Sequence, residues 1–327
     1  MSKLVTIFGG SGFVGKYIAE RMARSGWRVR VAVRRPNEAL HVKTYGDVGM
    51  VTPVFCNVRD DQSVADALVG ADAAINCVGI MNQIGRNKFE AVQHEAAARI
   101  ARLAKAAKVE NLVHISALGA DEESESEYAR SKAHGEKEVL SYFPNAVVLR
   151  PSVIFGSEDG FTNRVGKLSG LGPILPLFGG KTKFQPVFVG DVAKAAELGA
   201  TGAAAAGVYE LGGANVMTFN EITHTLLDMM QKRRLVVNKP FFAGAILATV
   251  LDIGSAMTLG LVTNRVLTRD QLKLLKVDNV VAADAKGLSD LGITPVRLTE
   301  EAPSWMWRYR PSGQYAAIKN SAKNVKV

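Results

Sequence analysis

The chain has 327 residues, of which 47% are hydrophobic and 22% charged. This composition excludes intrinsic disorder and a fibrous architecture, and the length suits about two folding units with cores of their own. A formal net charge of +9 calls for acidic partners: nucleic acid, a dinucleotide phosphate or anionic lipid.

The sequence opens on Met1-Ser2-Lys3 and enters the strand-like run Leu4–Phe8 at once. No secretory or Arg-rich organellar leader precedes it, so the expected compartment is the cytoplasm. Up to residue 150, short apolar runs alternate with longer helical patterns. Strands are predicted over Leu4–Phe8, Arg28–Val33, Val51–Cys56, Ala73–Cys77, Asn111–Ile115 and Ala146–Arg150. Helices are predicted over Val14–Ser25, Ser63–Val69, Phe89–Ala107 and Ser126–Tyr142. The expected fold class is α/β, a doubly wound parallel sheet of Rossmann type with a smaller α/β C-terminal lobe. The ligand belongs at the switch between the first and fourth strands. The two cysteines, Cys56 and Cys77, end the third and fourth strands. These strands are not neighbours in that order, so no disulfide is expected. Neither cysteine has metal-site spacing, and no metal is expected.

Gly9-Gly10-Ser11-Gly12-Phe13-Val14-Gly15 follows the first strand and opens the first helix. Glycines let the backbone approach a pyrophosphate, which the helix N-terminus then meets with free N–H groups. An NAD site would place an acid at the end of the second strand; this chain has Arg34-Arg35. Two guanidinium groups suit a 2′-phosphate, so NADP(H) is expected over NAD(H). Asn57 and Val58, after the third strand, are placed to meet the adenine. Cys77-Val78-Gly79, after the fourth, are placed to pass the ribose and pyrophosphate.

Tyr128 and Lys132 lie four residues apart on one helix face, and Ser116 closes the fifth strand. This is a Ser-Tyr-Lys arrangement suited to hydride transfer. The phenol would act as general acid, and the lysine would lower its pKa and hold the nicotinamide ribose.

Beyond Pro151 the rhythm changes. Gly and Pro punctuate residues 156–190, which read as loop-rich. Asp191–Thr201 reads as a helix with Asp191 as N-cap, and Gly207–Leu211 as a strand. Thr218/Glu221 and Thr268/Gln271 are capping-box patterns that open helices. The segment Phe241–Val262 is apolar, carries Asp252 near its middle and is flanked by basic residues. Three readings compete: a buried or broken core helix pair, a surface-lying membrane or partner contact, and a spanning helix. The tail from Trp305 is aromatic and basic, fit either for an interface or for plugging the domain's own core. The expected division is a dinucleotide-binding domain at 1–155, a smaller lobe at 156–304 and a basic aromatic tail at 305–327. No nucleic-acid recognition motif accompanies the charge, so no nucleic-acid partner is expected.

The glycine loop, Arg34, Tyr128/Lys132 and the run Arg150–Gly156 resemble the atypical and extended short-chain dehydrogenase/reductase superfamily. The block Gln185–Ala193, which opens the small lobe in that superfamily, strengthens the resemblance. Within it, Asn76–Gly79, Ile115–Ala120, Ser126–Ala133 and the apolar segment after residue 240 are similar to one branch. That branch is the nucleotide-binding accessory subunit of respiratory complex I, and the similarity covers nearly the whole chain. It implies a tightly held, structural NADPH, with Tyr128, Lys132 and Pro151 among the residues around it and no independent turnover. It also implies other complex I subunits as partners, while the basic flanks of the apolar segment suit an anionic membrane surface. The location implied is the peripheral arm on the cytoplasmic face of a bacterial inner membrane. The alternative is a free-standing NADPH-dependent reductase or epimerase that uses Ser116, Tyr128 and Lys132.

Overall fold

Short β-branched runs joined through Ala-rich amphipathic stretches can bury both faces of a parallel sheet, and this chain uses them so. The structure, a computed structural model, describes residues 2–246, 248–249 and 268–315. The first half runs β1 (Leu4–Phe8), α1 (Phe13–Arg24), β2 (Arg28–Val33), β3 (Val51–Phe55), α2 (Asp61–Leu68) and β4 (Ala73–Asn76). It continues with α3 (Glu95–Ala106), β5 (Asn111–Ile115), α4 (Glu127–Tyr142) and β6 (Val147–Pro151). Each predicted element is present to within two residues at either end. The exception is the stretch before α3, where the helical path widens into a π-turn over Glu90–His94.

The sheet order is β11-β6-β5-β4-β1-β2-β3, with all pairings parallel. β1 and β4 are therefore neighbours, and the crevice at their carboxyl ends is the switch point. Val5 and Ile7 face α1 and α6, packing with Ile18, Met22, Val192 and Ala196. Phe8, one register step away, joins Leu68, Ala97 and Ile100 on the α2/α3 face. Thr6 shares that second face, and its hydroxyl donates to the Ala67 carbonyl at 2.8 Å.

The seventh strand, β11 (Gly207–Leu211), comes from beyond residue 155. So does α6 (Val189–Ala200), which packs against α1. The large sheet thus draws on both sides of the expected 155/156 boundary. α6 starts two residues before Asp191, with Phe188 as its N-cap. Asp191 does not cap it; its carboxylate accepts the Val296 N–H at 2.9 Å and so ties the C-terminal stretch to α6.

The smaller lobe is more ordered than its Gly/Pro content predicts. β7 (Ile154–Phe155) pairs with β10 (Val187–Phe188), and α5 (Thr162–Leu168) lies between them in sequence. β8 (Ile174–Phe178) pairs in parallel with β13 (Leu235–Lys239), far along the chain. β9 (Lys183–Phe184) pairs with β12 (Met217–Thr218), which leads into α7 (Phe219–Met229) through the expected Thr218/Glu221 capping box. These pairings are long-range, so no local pattern announces them. Phe155, Phe184, Ile222, Leu226, Trp305 and Met306 form the lobe's core. The start of the aromatic tail therefore plugs this core, while Trp307 and Tyr315 are exposed. Residues 316–327 lie outside the described residues.

Residues 241–246 and 248–249 form a helix, α8. Ala248 is buried, and Phe242 and Ile246, one turn apart, are exposed. The remainder of the 241–262 segment lies outside the described residues. No helix among the described residues is long and apolar enough to cross a membrane. α9 (Arg269–Leu274) follows, with the expected Thr268/Gln271 capping box.

Candidate dinucleotide-binding site

The glycine loop turns where β1 meets α1. Gly9 has φ +75°, a conformation that costs glycine nothing. A Cβ on Gly15 would sit 2.4 Å from the Gly9 carbonyl oxygen and 2.7 Å from the Gly10 Cα, so the loop closes only around a bare backbone. The α1 N-terminus has no side-chain cap at Gly12 and no acid in its first turn. Unfilled helix N–H groups beside a bare backbone form a cradle for an anion. Ser11, Phe13 and Val14 are only partly buried around it. A Cβ on Gly9 would lie 3.3 Å from the Cys77 carbonyl, so this loop and the one after β4 abut.

At the edge of the cradle, Arg34 and Arg35 are exposed at the end of β2. Arg34 Nη1 donates to Asn87 Oδ1 at 3.2 Å, whereas Arg35 is paired with Glu38 at 2.9 Å. Among the described residues, Arg34 thus has a neutral partner, whereas Arg35 has an acidic one. After β3, the Asn57 side chain accepts from its own loop at the Arg59 N–H. The Asn57 N–H itself donates to Ser63 Oγ at 2.9 Å, and Val58 is buried.

The other end of the site gathers residues from four elements. Lys132 is buried on α4, and its ammonium donates to the Ile115 carbonyl at 3.0 Å. Burial pushes it down to about 8. Tyr128 lies one turn earlier, its ring edge-on to Phe89 at 5.9 Å. The expected lowering of its pKa is not observed. Burial pushes the phenol up to about 12, and the Lys132 ammonium makes its hydrogen bond to the Ile115 carbonyl. Ser116 Oγ is buried and has no hydrogen-bond partner among the described residues. Burial also holds the Cys77 thiol at about 12, as a neutral lining group. Pro151 is buried at the end of β6, where its carbonyl accepts the Leu118 N–H at 2.9 Å.

Gln93 escaped the sequence reading. It sits in the π-turn before α3, buried, with Nε2 donating to Ser131 Oγ at 3.0 Å. Its Oε1 has no partner and lies 3.7 Å from where a Gly79 Cβ would be; Lys132 Nζ is 3.5 Å from the same point. The Gln93 oxygen and the Lys132 ammonium thus both lie beside Gly79, and the Ser116 hydroxyl is a second buried oxygen without a partner among the described residues. Buried oxygens without partners cost about 1–3 kcal/mol each, so the pocket suits a ligand rich in hydroxyl or amide donors. The ribose and carboxamide of a nicotinamide nucleotide carry those groups, and the cradle at Gly9–Gly15 would take its pyrophosphate. The residues present therefore fit a dinucleotide. Away from this pocket, Glu90, His94 and His134 bring ligand-type atoms within 4.8 Å of one another. The exposed Glu90 carboxylate there is already hydrogen-bonded to His94 at 2.6 Å.

Arg150, part of the motif behind the resemblance, is structural. Its guanidinium binds both oxygens of the buried Glu136 at 2.6–3.0 Å and approaches Glu210 at 3.6 Å, tying β6 to α4 and β11.

With this geometry in place, the chain belongs to the NAD dependent epimerase/dehydratase family, whose profile matches residues 5–212, and within it to the group of the mitochondrial NADH dehydrogenase 1 alpha subcomplex subunit 9. It is 32% identical to that subunit from Arabidopsis thaliana, over 95% of this chain and 79% of the relative. The Dictyostelium discoideum subunit is 31% identical, over 97% of this chain and 88% of the relative. Among solved structures, an NADPH-dependent quinone oxidoreductase from Escherichia coli, complexed with NADPH, superposes with a TM-score of 0.70. That match is at 20% identity and covers 92% of this chain and 98% of the other, which supports the fold.

Proposed function

We propose that this chain is an NADPH-binding accessory subunit of a proton-pumping NADH:ubiquinone oxidoreductase. The observation that carries the reading is similarity along 95% of the chain to subunit 9 of the NADH dehydrogenase (ubiquinone) 1 alpha subcomplex. The nucleotide site lies at the carboxyl ends of β1 and β4, with Gly9, Gly10, Ser11, Gly12, Phe13, Val14 and Gly15 around the pyrophosphate. Arg34, whose hydrogen bond among the described residues goes to the neutral Asn87, supports a 2′-phosphate and therefore NADP(H) over NAD(H). Asn57 and Val58 border the adenine; Cys77, Val78, Gly79, Lys132 and Pro151 border the nicotinamide half. A bound nucleotide would satisfy the Gln93 and Ser116 oxygens and so stabilise the subunit by mass action.

The docking face proposed for the complex is the outer side of the small lobe. Ile174 and Leu235, in register on β8 and β13, are exposed there, as are Phe242 and Ile246 on α8. Lys239 and Arg233 add positive charge beside them, which suits the membrane-proximal end of the complex and an anionic lipid surface. The proposed location is the cytoplasmic face of a bacterial inner membrane.

A reductase reading has one observation in its favour: Ser116, Tyr128 and Lys132 are all present, and Ser116 Oγ has no partner. Tyr128, raised to about 12, holds its proton at neutral pH and could pass it to a carbonyl oxygen. A nicotinamide nucleotide, when bound, supplies hydride.

The test is native-gel separation of membranes solubilised in mild detergent from the source. The chain is expected to travel with the NADH dehydrogenase activity band. Migration near its own 35.0 kDa would overturn the subunit reading and favour the reductase.

A further inference from the structure

The helix that carries Tyr128 and Lys132 is held at its first turn by a residue from the other lobe. Asp270, in the first turn of α9, lies 142 positions from Tyr128. Its Oδ2 accepts the Ser126 hydroxyl at 2.7 Å and the Tyr128 N–H at 3.1 Å; its Oδ1 accepts the Glu127 N–H at 2.8 Å. One carboxylate thus satisfies two free N–H groups of α4 and the hydroxyl of its cap residue, where the helix dipole favours negative charge. Two further bonds join α9 to the same place. Lys273 Nζ donates to the Glu125 carbonyl at 3.0 Å, and Gln271 Nε2 meets Asn82 Oδ1 at 3.4 Å, in the loop that leaves β4 past Gly79.

α9 is equally tied to α8. The Arg269 guanidinium donates twice to Thr249 Oγ1, at 2.9 and 2.6 Å. Leu272 packs with Ala248 and, less deeply, with Phe178 and Phe241. An unbroken series of contacts therefore runs from the exposed Phe242 and Ile246 through α9 to the backbone of Tyr128.

We propose that Asp270 is a positioning residue of the nucleotide site, and that through it the site and the α8–α9 surface are energetically coupled. The proposal rests on the reading that the chain holds a dinucleotide. A nucleotide against Tyr128, Lys132 and the Gly79 loop orders the first turn of α4, which is the surface α9 grips. By linkage, occupancy then tightens α9, and whatever docks on α8 and α9 tightens the nucleotide by the same factor.

Hydrogen exchange of the full chain, with and without NADPH, reads this directly. NADPH is expected to slow exchange in residues 269–274 as well as around the glycine loop. Asp270→Asn should weaken NADPH by about fivefold or more and abolish the response of 269–274. Asp270→Glu, which keeps the carboxylate, should restore part of both. Thr249→Val, remote from the nucleotide, should leave that response intact while loosening α8. A cap with only a structural role would lower the melting temperature of Asp270→Asn and leave its α9 responsive. That result would overturn the coupling, as would an unresponsive α9 in the unaltered chain that binds NADPH. No binding of either NADPH or NADH by the unaltered chain would overturn the nucleotide reading and the coupling together.

Discussion

The two ends of the proposed dinucleotide site are built differently. The pyrophosphate end, Gly9 to Gly15, is one contiguous turn whose shape follows from missing side chains. The nicotinamide end is assembled from Gly79, Gln93, Ser116, Tyr128 and Lys132, and braced by Asp270 from the other lobe. The first end depends on backbone space, and the second on long-range placement of buried polar groups. A local device should therefore fail abruptly when filled, whereas a dispersed one should fail gradually and respond to pH.

The largest effect is expected at the local end. Gly15→Ala drives a Cβ to 2.4 Å from the Gly9 carbonyl, where only backbone can yield. Nucleotide binding should be lost in a fluorescence titration. The melting temperature should fall with a destabilisation of about 1–3 kcal/mol, the usual cost of overpacking. Near-normal binding would mean that the turn is not the pyrophosphate cradle.

Arg34→Ala should come next. It removes the charge proposed to meet a 2′-phosphate, so NADPH should weaken by about tenfold to a hundredfold. NADH should change little. The same experiment at Arg35, already paired with Glu38, should show a smaller loss; a larger one would reverse the roles of the two residues.

At the dispersed end, Lys132 carries a proton that burial holds only up to about pH 8. The ammonium is present below that pH and is lost as pH rises through it. NADPH affinity should therefore decline from about pH 8 upward, and Lys132→Met should bind weakly with a flat profile. A wild-type profile that stays flat through pH 9 would remove Lys132 from the nucleotide contact.

The smallest effect concerns His114, buried beneath this end, with one ring nitrogen against Asn76 at 3.1 Å and the other without a partner among the described residues. Burial pushes it down to about 3 from an ordinary 6.5. The unfolded chain therefore binds the extra proton across that window, and stability rises with pH from about 3 to 6.5. Thermal melts between pH 7 and 5 should show a decline that His114→Gln makes shallower. An identical decline in both proteins would place the acid sensitivity elsewhere.

The same contrast explains what could be read from the chain. Strands β1 to β6, their helices and the glycine loop are local patterns, and their limits agree with the structure closely. The capping boxes at Thr218 and Thr268 are likewise local and present. β8, by contrast, pairs with β13 across the lobe, and that partnership leaves no trace in its Gly/Pro-rich surroundings. Asp191 looks like a cap, yet helix α6 begins before it and the carboxylate is used by Val296. Gln93 lies hidden in an ordinary helical pattern, because nothing local marks the π-turn that carries it close against α4. There, a Cβ on Gly135 would collide with the Gln93 carbonyl at 2.4 Å. Tyr128 and Lys132 were visible by their spacing, but their proton affinities depend on burial and on the Ile115 carbonyl.

The most direct measurement is the identity of the nucleotide carried by the chain isolated from its source. Denaturation followed by mass spectrometry of the released small molecules would read it. About one NADP(H) per chain is expected, in line with a single glycine cradle and an available Arg34. Release of NAD(H) would contradict the role given to Arg34, and release of no dinucleotide would contradict the site itself.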